Sequence, residues 1–384
     1  MRHPDIVSGN SANMCGTRGV TKIKVSIVGG GINGLSIAWR LARRGHNVSL
    51  YEADSVLSKT SSASSKMLHG GIRYLETGQV SLVYQALKDR HWWITQAGSY
   101  VTIRSFYVPI YRDSPRALWK MFVGVKLYEW LSGRRSLGRS RLISQKEIPE
   151  MRFGLKPDGL KGLVSYFDAQ MDERGLGLWV KHEAQAAGVT VFENSPVAKV
   201  KTDGGLVLST GQEVAADLCV NALGPWAEEI LEKSNILSKF EVELVRGSHL
   251  VIDRPWQHAF LLQVKTDQRV VFALPYEDKL LLGTTEVVQD APDAPICSDA
   301  ERDYLIRAFN DYFLDSISTK DILSDMSGLR PIIKTKKSHG SPSTASRESE
   351  IEINNRLVNI WGGKWTSAIS LADKVTQKIT KVFQ

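Results

Sequence analysis

The stretch from Ile23 to Glu52 constrains this chain more than any other. It opens with the short β-branched run IKVSIV and turns through GGGING, with Gly29, Gly31 and Gly34 at the positions of an x-G-x-G-x-x-G pattern. LSIAWRLARRG follows with apolar residues at helical spacing and closes on Gly45, and NVSLYE returns as a second strand ending in Glu52. Strand, glycine turn, helix and strand in this order complete a βαβ unit. Each part meets a requirement of dinucleotide binding. Gly29 permits the tight turn, Gly31 lets a pyrophosphate reach the backbone, Gly34 allows close packing of helix on strand, and the helix N-terminus supplies a favourable dipole. Glu52 can accept hydrogen bonds from ribose hydroxyls, which suits an unphosphorylated ribose and argues against NADP. NAD and FAD both satisfy the unit.

The next informative stretch is TSSASSKMLHGGIRYLE at 60–76, which has the composition of a site and little that could build a core. Its consecutive hydroxyls and backbone N–H groups can wrap a diphosphate. Gly70 and Gly71 let the backbone approach a flat ligand, and Arg73 offers a planar fork to a phosphate or carboxylate. The net charge of +8 over 384 residues favours anionic partners in general: a phosphorylated substrate, an anionic membrane surface or nucleic acid. Hydrophobic and charged fractions of 42% and 23% exclude disordered and collagen-like chains. Cys15, Cys219 and Cys297 are odd in number and far apart, so neither a disulfide framework nor a metal cluster is expected, and a reducing compartment fits. Residues 1–22 lack the apolar core of a secretory signal and read as an irregular leader, with Met1 or Met14 as the start. A cytoplasmic protein is expected, with peripheral attachment to the inner face of the cell membrane left open.

The 60–76 stretch resembles the segment that follows the dinucleotide fold in FAD-dependent glycerol-3-phosphate dehydrogenases. YFDAQMDE (166–173), NALGPW (221–226), RGSHLVI (246–252), GTTEV (283–287), SGLRP (327–331) and GGKWT (362–366) match the same family in the same order. The resemblance implies an α/β fold: an FAD-binding Rossmann-like dinucleotide domain with a mixed-sheet α+β substrate domain inserted between its segments. Residues 23–100, 160–235 and 320–384 would form the first domain, and 101–159 and 236–319 the second. It implies a non-covalent FAD held by Gly29, Gly31, Asn33, Gly34, Glu52 and Ala53 of the βαβ unit. Thr60, Ser61, Ser62, Ser65, Lys66, His69, Gly70 and Gly71 would join from the hydroxyl-rich loop, and Val197, Ala222, Gly224 and Trp226 from the middle of the chain. Gly328, Gly362, Gly363, Lys364, Trp365 and Thr366 complete the set. Leu223 stands where the family's threonine is usual.

The implied activity is oxidation of sn-glycerol 3-phosphate, or a close phosphorylated polyol, to dihydroxyacetone phosphate or the matching ketone. Hydride would pass to flavin N5 and the electrons to a quinone or another acceptor. By the resemblance Arg73, Tyr74, Arg330, Arg347, Lys364 and Thr366 line the phosphate pocket, and His249 is the candidate base beside the reacting carbon. Arg330, Lys364 and His249 form the catalytic set. No metal and no nucleic acid is implied, and a homodimer is left open. Respiratory members of the family continue into a further domain, which this chain is expected to lack. Two rivals stand beside this reading: an amino-acid or secondary-amine oxidoreductase of the same superfamily, and a flavin-binding sensor or assembly subunit without turnover.

The remaining segments carry local signals. Residues 79–97 read as a packing helix and 101–111 as a strand. PRALWKMFVGVKLYEWLSGRR reads either as a buried helix with a solvated basic tail or as an interfacial patch of Trp119, Phe122, Trp130, Arg134 and Arg135 on anionic lipid. FDAQMDERGLGLWVKHEAQAAG reads as a helix closed by Gly188, with two short strands after it joined at Asp203–Gly205. EVELVRGSHLVI, RVVFALP and KLLLGTTEV read as strands, 301–313 as a helix, 334–350 as a loop, and SAISLADKVTQKITKVF as the closing helix.

Overall fold

The computed structural model describes residues 21–336 and 349–383. Most of the expected leader, Met14, Cys15 and Arg347 lie outside the described residues. Strands β1 (Lys24–Val28) and β2 (Asn47–Tyr51) pair in parallel on either side of the crossover helix α1 (Ile32–Ala42). They belong to a six-stranded sheet ordered Glu350–Asn354, Leu357–Trp361, Leu218–Asn221, β1, β2, Thr190–Phe192. Only the edge strand Glu350–Asn354 runs antiparallel to its neighbour. Val25, Ile27 and Val28 are all buried, which explains why β1 is continuously apolar: a parallel strand between layers has no solvent face.

Six further α-helices follow among the described residues: α2 (Val80–Gln96), α3 (Leu118–Ser132), α4 (Glu173–Ala186), α5 (Ala227–Lys233), α6 (Asp299–Asn310) and α7 (Ala368–Phe383). Helices α1, α4 and α7 share one core in which Leu35, Ile37, Leu176, Val180, Leu371 and Val375 are buried. Each such side chain contributes roughly 1.5–3 kcal/mol.

The second sheet has ten strands dominated by two long antiparallel ladders, Val101–Tyr111 with Leu160–Met171 and Phe240–Ile252 with Ile322–Thr335. Its faces alternate with the two-residue period of a strand. Leu250, Ile252, Phe260 and Leu262 face a core shared with Leu305, Ile306 and Phe309 of α6. Val251, Ala259 and Leu261 face the opposite way, toward Val83 and Leu87 of α2 and Val125 and Tyr128 of α3. Val197–Val200, Leu206–Leu208 and Glu213–Val214 make a small third sheet.

The structure corrects three expectations. Residues 160–171 and 322–335, assigned with the dinucleotide-binding segments, pair in the large sheet, because each spans the full length of a partner strand there. FDAQM is not helical: Phe167–Met171 ends the strand Leu160–Met171, and α4 begins only after Asp172, whose side chain caps it by accepting from the Gly175 N–H at 2.9 Å. Helix α3 is not buried all round. Val125 and Tyr128 pack inward and Phe122 is partly covered, but Trp119 and Trp130 stand 65% and 75% exposed on the face that also carries Val123 and Leu127.

Candidate active site

The glycine turn after β1 is dictated by contacts that leave no room for a side chain. Gly29 has φ +108°, and a Cβ there would lie 2.6 Å from the Ala222 carbonyl oxygen. A Cβ on Gly34 would collide with the carbonyl of Gly29, so α1 sits directly against the turn. At Gly31 the nearest protein atom to such a Cβ is Ser61 Oγ at 3.2 Å. The turn is therefore open in front and closed behind. Ser61 Oγ accepts from the Ile32 N–H at 3.0 Å. The Glu52 carboxylate accepts from the N–H groups of Gly30 at 2.6 Å and Asp54 at 3.0 Å, which fixes it at the end of β2. Asn33 Oδ1 is buried with no partner among the described residues. An open backbone cradle at a helix N-terminus, an oriented acid at the ribose position and an orphaned amide oxygen fit a dinucleotide.

This turn forms one end of a cleft of about 1590 Å³ that runs between the two large sheets. That exceeds the roughly 300–1,000 Å³ of a pocket for one drug-sized ligand, and leaves space for a cofactor and a substrate together. The cleft brings together Gly29, Gly31, Asn33, Glu52, Ala53, Thr60, Ser61, Ser62, Ser65, His69, Gly70 and Gly71. Ala222, Gly224, Trp226, Gly328 and residues 362–366 line it too, as do Arg73, Tyr74, His249 and Arg330.

Three expected residues lie elsewhere. Gly34 packs behind the turn. Val197 sits in the small third sheet, paired with Leu208, and does not line the cleft. Lys66 points away from the cleft into a buried ion pair with Glu173, and its Nζ also donates to the Ser62 carbonyl at 2.8 Å. Glu173 in turn accepts from the Ser64 N–H at 3.2 Å and from its hydroxyl. Burial raises the Glu173 pKa while Lys66 and Ser64 pull it down. The pair moors the hydroxyl-rich loop to the start of α4, so that the loop presents its front face to the cleft.

The HGG segment is held in the same way by residues that sequence reasoning missed. The Gly70 N–H donates to Tyr128 Oη at 2.6 Å, Tyr128 donates to Asp168 Oδ2 at 2.8 Å, and Arg90 Nη1 donates to Asp168 Oδ1 at 2.8 Å. All three side chains are buried. A Cβ on Gly70 would meet Leu87 and Tyr128 Oη at 2.6 Å, which is why glycine stands there. Tyr128 is pushed well above its ordinary pKa by burial and by Asp168, so it stays a neutral donor. His69 Nδ1 accepts from the Gly71 N–H at 3.0 Å, and burial lowers its pKa. The only sequence signal for this network was the aspartate of YFDAQMDE; Arg90 and Tyr128 lie on helices whose patterns look like ordinary packing.

Three cationic side chains expected at the substrate also line the cleft. Arg330, on the strand Ile322–Thr335, donates Nη2 to Thr284 Oγ1 at 2.9 Å and Nη1 to Glu286 at 3.4 Å. Lys364 follows Gly362 (φ +69°) and Gly363 (φ +101°); its Nζ lies 3.0 Å from Tyr74 Oη and 4.4 Å from the centre of that ring. Arg73 is carried on the short turn Ile72–Leu75. Thr366 is buried and accepts from the His69 N–H at 3.3 Å. His249, on Phe240–Ile252, lies over Gly283, where no Cβ would fit. Its Nε2 is 2.9 Å from Ser65 Oγ, and Nδ1 has no partner among the described residues. Burial, then Arg330 and Lys66, hold its pKa down to about 3, so the imidazole is neutral at ordinary pH. No group of metal-ligating side chains occurs among the described residues.

Comparison with known proteins bears on the family, the fold and the cofactor. The profile of the FAD dependent oxidoreductase family matches residues 24–369. The chain is 32% identical to the D-erythritol 1-phosphate dehydrogenase of Brucella abortus, over 93% of this chain and 73% of that protein. It is 31% identical to the aerobic glycerol-3-phosphate dehydrogenase of Escherichia coli, again over 93% and 73%. Among solved structures, the glycerol-3-phosphate dehydrogenase of Bacillus halodurans complexed with FAD superposes with a TM-score of 0.73 at 25% identity, over 94% of this chain and 65% of that one. The chain therefore spans about two thirds to three quarters of the length of these relatives.

Proposed function

The chain belongs to the FAD-dependent oxidoreductases, an enzyme family with FAD as its cofactor, and on that premise we propose that it oxidises sn-glycerol 3-phosphate or a close phosphorylated polyol to the corresponding ketone, passing the electrons to a quinone or another acceptor. The observation that carries the proposal is that Arg73, Arg330 and Lys364 line the same cleft as a neutral, buried histidine whose pKa Arg330 helps to depress. An amine substrate has no use for so many cations; a phosphate dianion does. When bound, the flavin supplies a hydride acceptor at N5.

The residues take roles from their chemistry. Arg330 offers a fork for two phosphate oxygens, and Arg73 and Lys364 add positive charge around the same group. Tyr74 orients the Lys364 ammonium through its hydroxyl and ring. His249, neutral and lining the cleft with Nε2 2.9 Å from Ser65 Oγ, is the base that takes the substrate hydroxyl proton. A phosphate placed against Arg330 cancels part of the charge that, after burial, depresses the His249 pKa. Gly31, Asn33 and Glu52 hold the dinucleotide at the glycine turn.

The test is anaerobic. The flavin band of the purified protein is followed on addition of sn-glycerol 3-phosphate and, separately, D-erythritol 1-phosphate. Rapid bleaching by either is expected, and the better of the two identifies the chain length preferred. A yellow protein that only amino acids or amines bleach would replace the proposal with the amine-oxidising reading, and one that nothing bleaches would leave a non-catalytic flavoprotein.

No helix among the described residues is long and apolar enough to cross a membrane. The exposed Trp119, Val123, Leu127 and Trp130 of α3, followed by Arg134 and Arg135, support a peripheral contact with anionic lipid. Sedimentation with anionic but not zwitterionic vesicles, lost on Trp119→Ala with Trp130→Ala, checks it.

A further inference from the structure

Helix α6 begins with a capping box: Ser298 Oγ accepts from the Glu301 N–H, and the Glu301 carboxylate accepts from the Ser298 N–H at 3.0 Å. Such a box is common at solvent-exposed helix ends and needs one carboxylate oxygen. Here the side chain is buried, 4% exposed, and its two oxygens reach beyond the helix end to the large sheet. Oε2 accepts from Ser298 at the helix end and, at 2.8 Å, from Arg246 Nη2 on the strand Phe240–Ile252. Oε1 belongs to the sheet, accepting from Thr285 Oγ1 at 2.6 Å and Ser248 Oγ at 2.8 Å.

Those hydroxyls sit next to the substrate end of the cleft. Ser248 immediately precedes His249. Thr285 follows Thr284, the residue that receives Arg330 Nη2. Ser248 Oγ also lies 2.8 Å from Ser327 Oγ, on the strand that carries Arg330. One carboxylate thus ties together the three stretches bearing His249, Thr284 and Arg330. The fit around Arg330 has no slack: a Cβ on Gly247 would stand 2.5 Å from its Nη2 and 2.7 Å from Thr284 Oγ1. The bonds from Thr285, Ser298, Ser248 and Arg246 outweigh burial and hold the Glu301 pKa down to about 2, so the clamp keeps its charge across the working range of pH.

We propose that Glu301 is a positioning residue for the substrate anion: through Ser248, Thr285 and Ser327 it sets the places of His249 and Arg330 without lining the cleft itself. The inference rests on the reading that Arg330 meets the phosphate.

The experiment compares Glu301→Gln with Ser298→Ala in the full FAD-loaded chain. Ser298→Ala breaks the helix cap and leaves the Oε1 arm intact, whereas Glu301→Gln removes the charge and one acceptor from the clamp. The readouts are Tm, the visible flavin spectrum, KM and kcat for sn-glycerol 3-phosphate, and Kd for inorganic phosphate. Glu301→Gln is expected to raise KM and the phosphate Kd by about tenfold or more, with a smaller fall in kcat and an unchanged flavin spectrum. Ser298→Ala is expected to lower Tm without moving either constant. If Glu301→Gln fails to fold, Thr285→Val and Ser248→Ala, which each delete one hydroxyl of the arm, must raise the same constants. The inference is overturned if KM and Kd stay at the wild-type values in the folded variants, or if Ser298→Ala shifts them equally. A wild type that neither turns over a phosphopolyol nor binds phosphate refutes the substrate reading first, and this inference with it.

Discussion

The two ends of the cleft are made of different material. At the cofactor end the contacting groups are backbone: Gly29, Gly31, the α1 N-terminus and the glycines before α7 shape a surface that a dinucleotide can approach, with Glu52 as its main charged side chain. At the proposed substrate end the groups are long side chains: Arg73 on its short turn, and Arg330, Lys364 and His249, each of these three held by a neighbour on another element. A backbone cradle recognises a cofactor shared by many enzymes and tolerates little change. A side-chain pocket can be re-equipped residue by residue without disturbing the cradle, which is how one fold comes to host different substrates.

That contrast can be broken or sharpened by substitution. The largest effect is expected at the cradle. Gly34→Val would drive a side chain into the Gly29 carbonyl, opening the turn, and the purified protein should lose its visible flavin spectrum altogether. A yellow Gly34→Val protein would mean that the cradle is more forgiving than the contacts suggest. At the pocket, Arg330→Ala should leave the flavin spectrum intact and raise KM for the phosphopolyol. Loss of hydrogen bonds to a charged group is worth about 1.5–3 kcal/mol, or roughly 10- to 150-fold. Steady-state constants unchanged from the wild type would remove Arg330 from the pocket.

The smallest effect at neutral pH concerns His249. Its native pKa is held at about 3 against an ordinary value of 6.5, so between those values the unfolded chain binds one more proton than the native one. Stability from this group is therefore complete above pH 6.5 and is lost progressively as the pH falls toward 3. His249→Gln should flatten the acid side of the stability curve by up to about 1.4 kcal/mol per pH unit, measured by denaturant unfolding across that window. A slope identical to the wild type would show that the ring is solvated.

The sequence by itself determined the cradle and most of its lining. Gly29 and Gly34 are legible because a turn that excludes a Cβ writes its requirement into single positions, and the strand, helix and strand around them announce themselves by period and by Glu52. Family motifs then brought Arg73, His249, Arg330 and Lys364 to one cleft, although they are scattered over nearly 300 residues. Only the tertiary structure decided what stands behind these residues. Lys66 looked like a cofactor ligand until Glu173 claimed it. Arg90 and Tyr128 looked like helix packing until Asp168 joined them under Gly70. Val197 went to a separate small sheet, and Phe167–Met171 became strand because a long ladder outbids local helical pattern. Glu301 read as an ordinary helical residue, and its second oxygen found its partners only when Ser248 and Thr285 arrived from distant strands. Backbone requirements are local, so they survive in sequence; the partners of a buried charge are chosen by whatever the fold brings within about 3 Å, and no spacing along the chain records that.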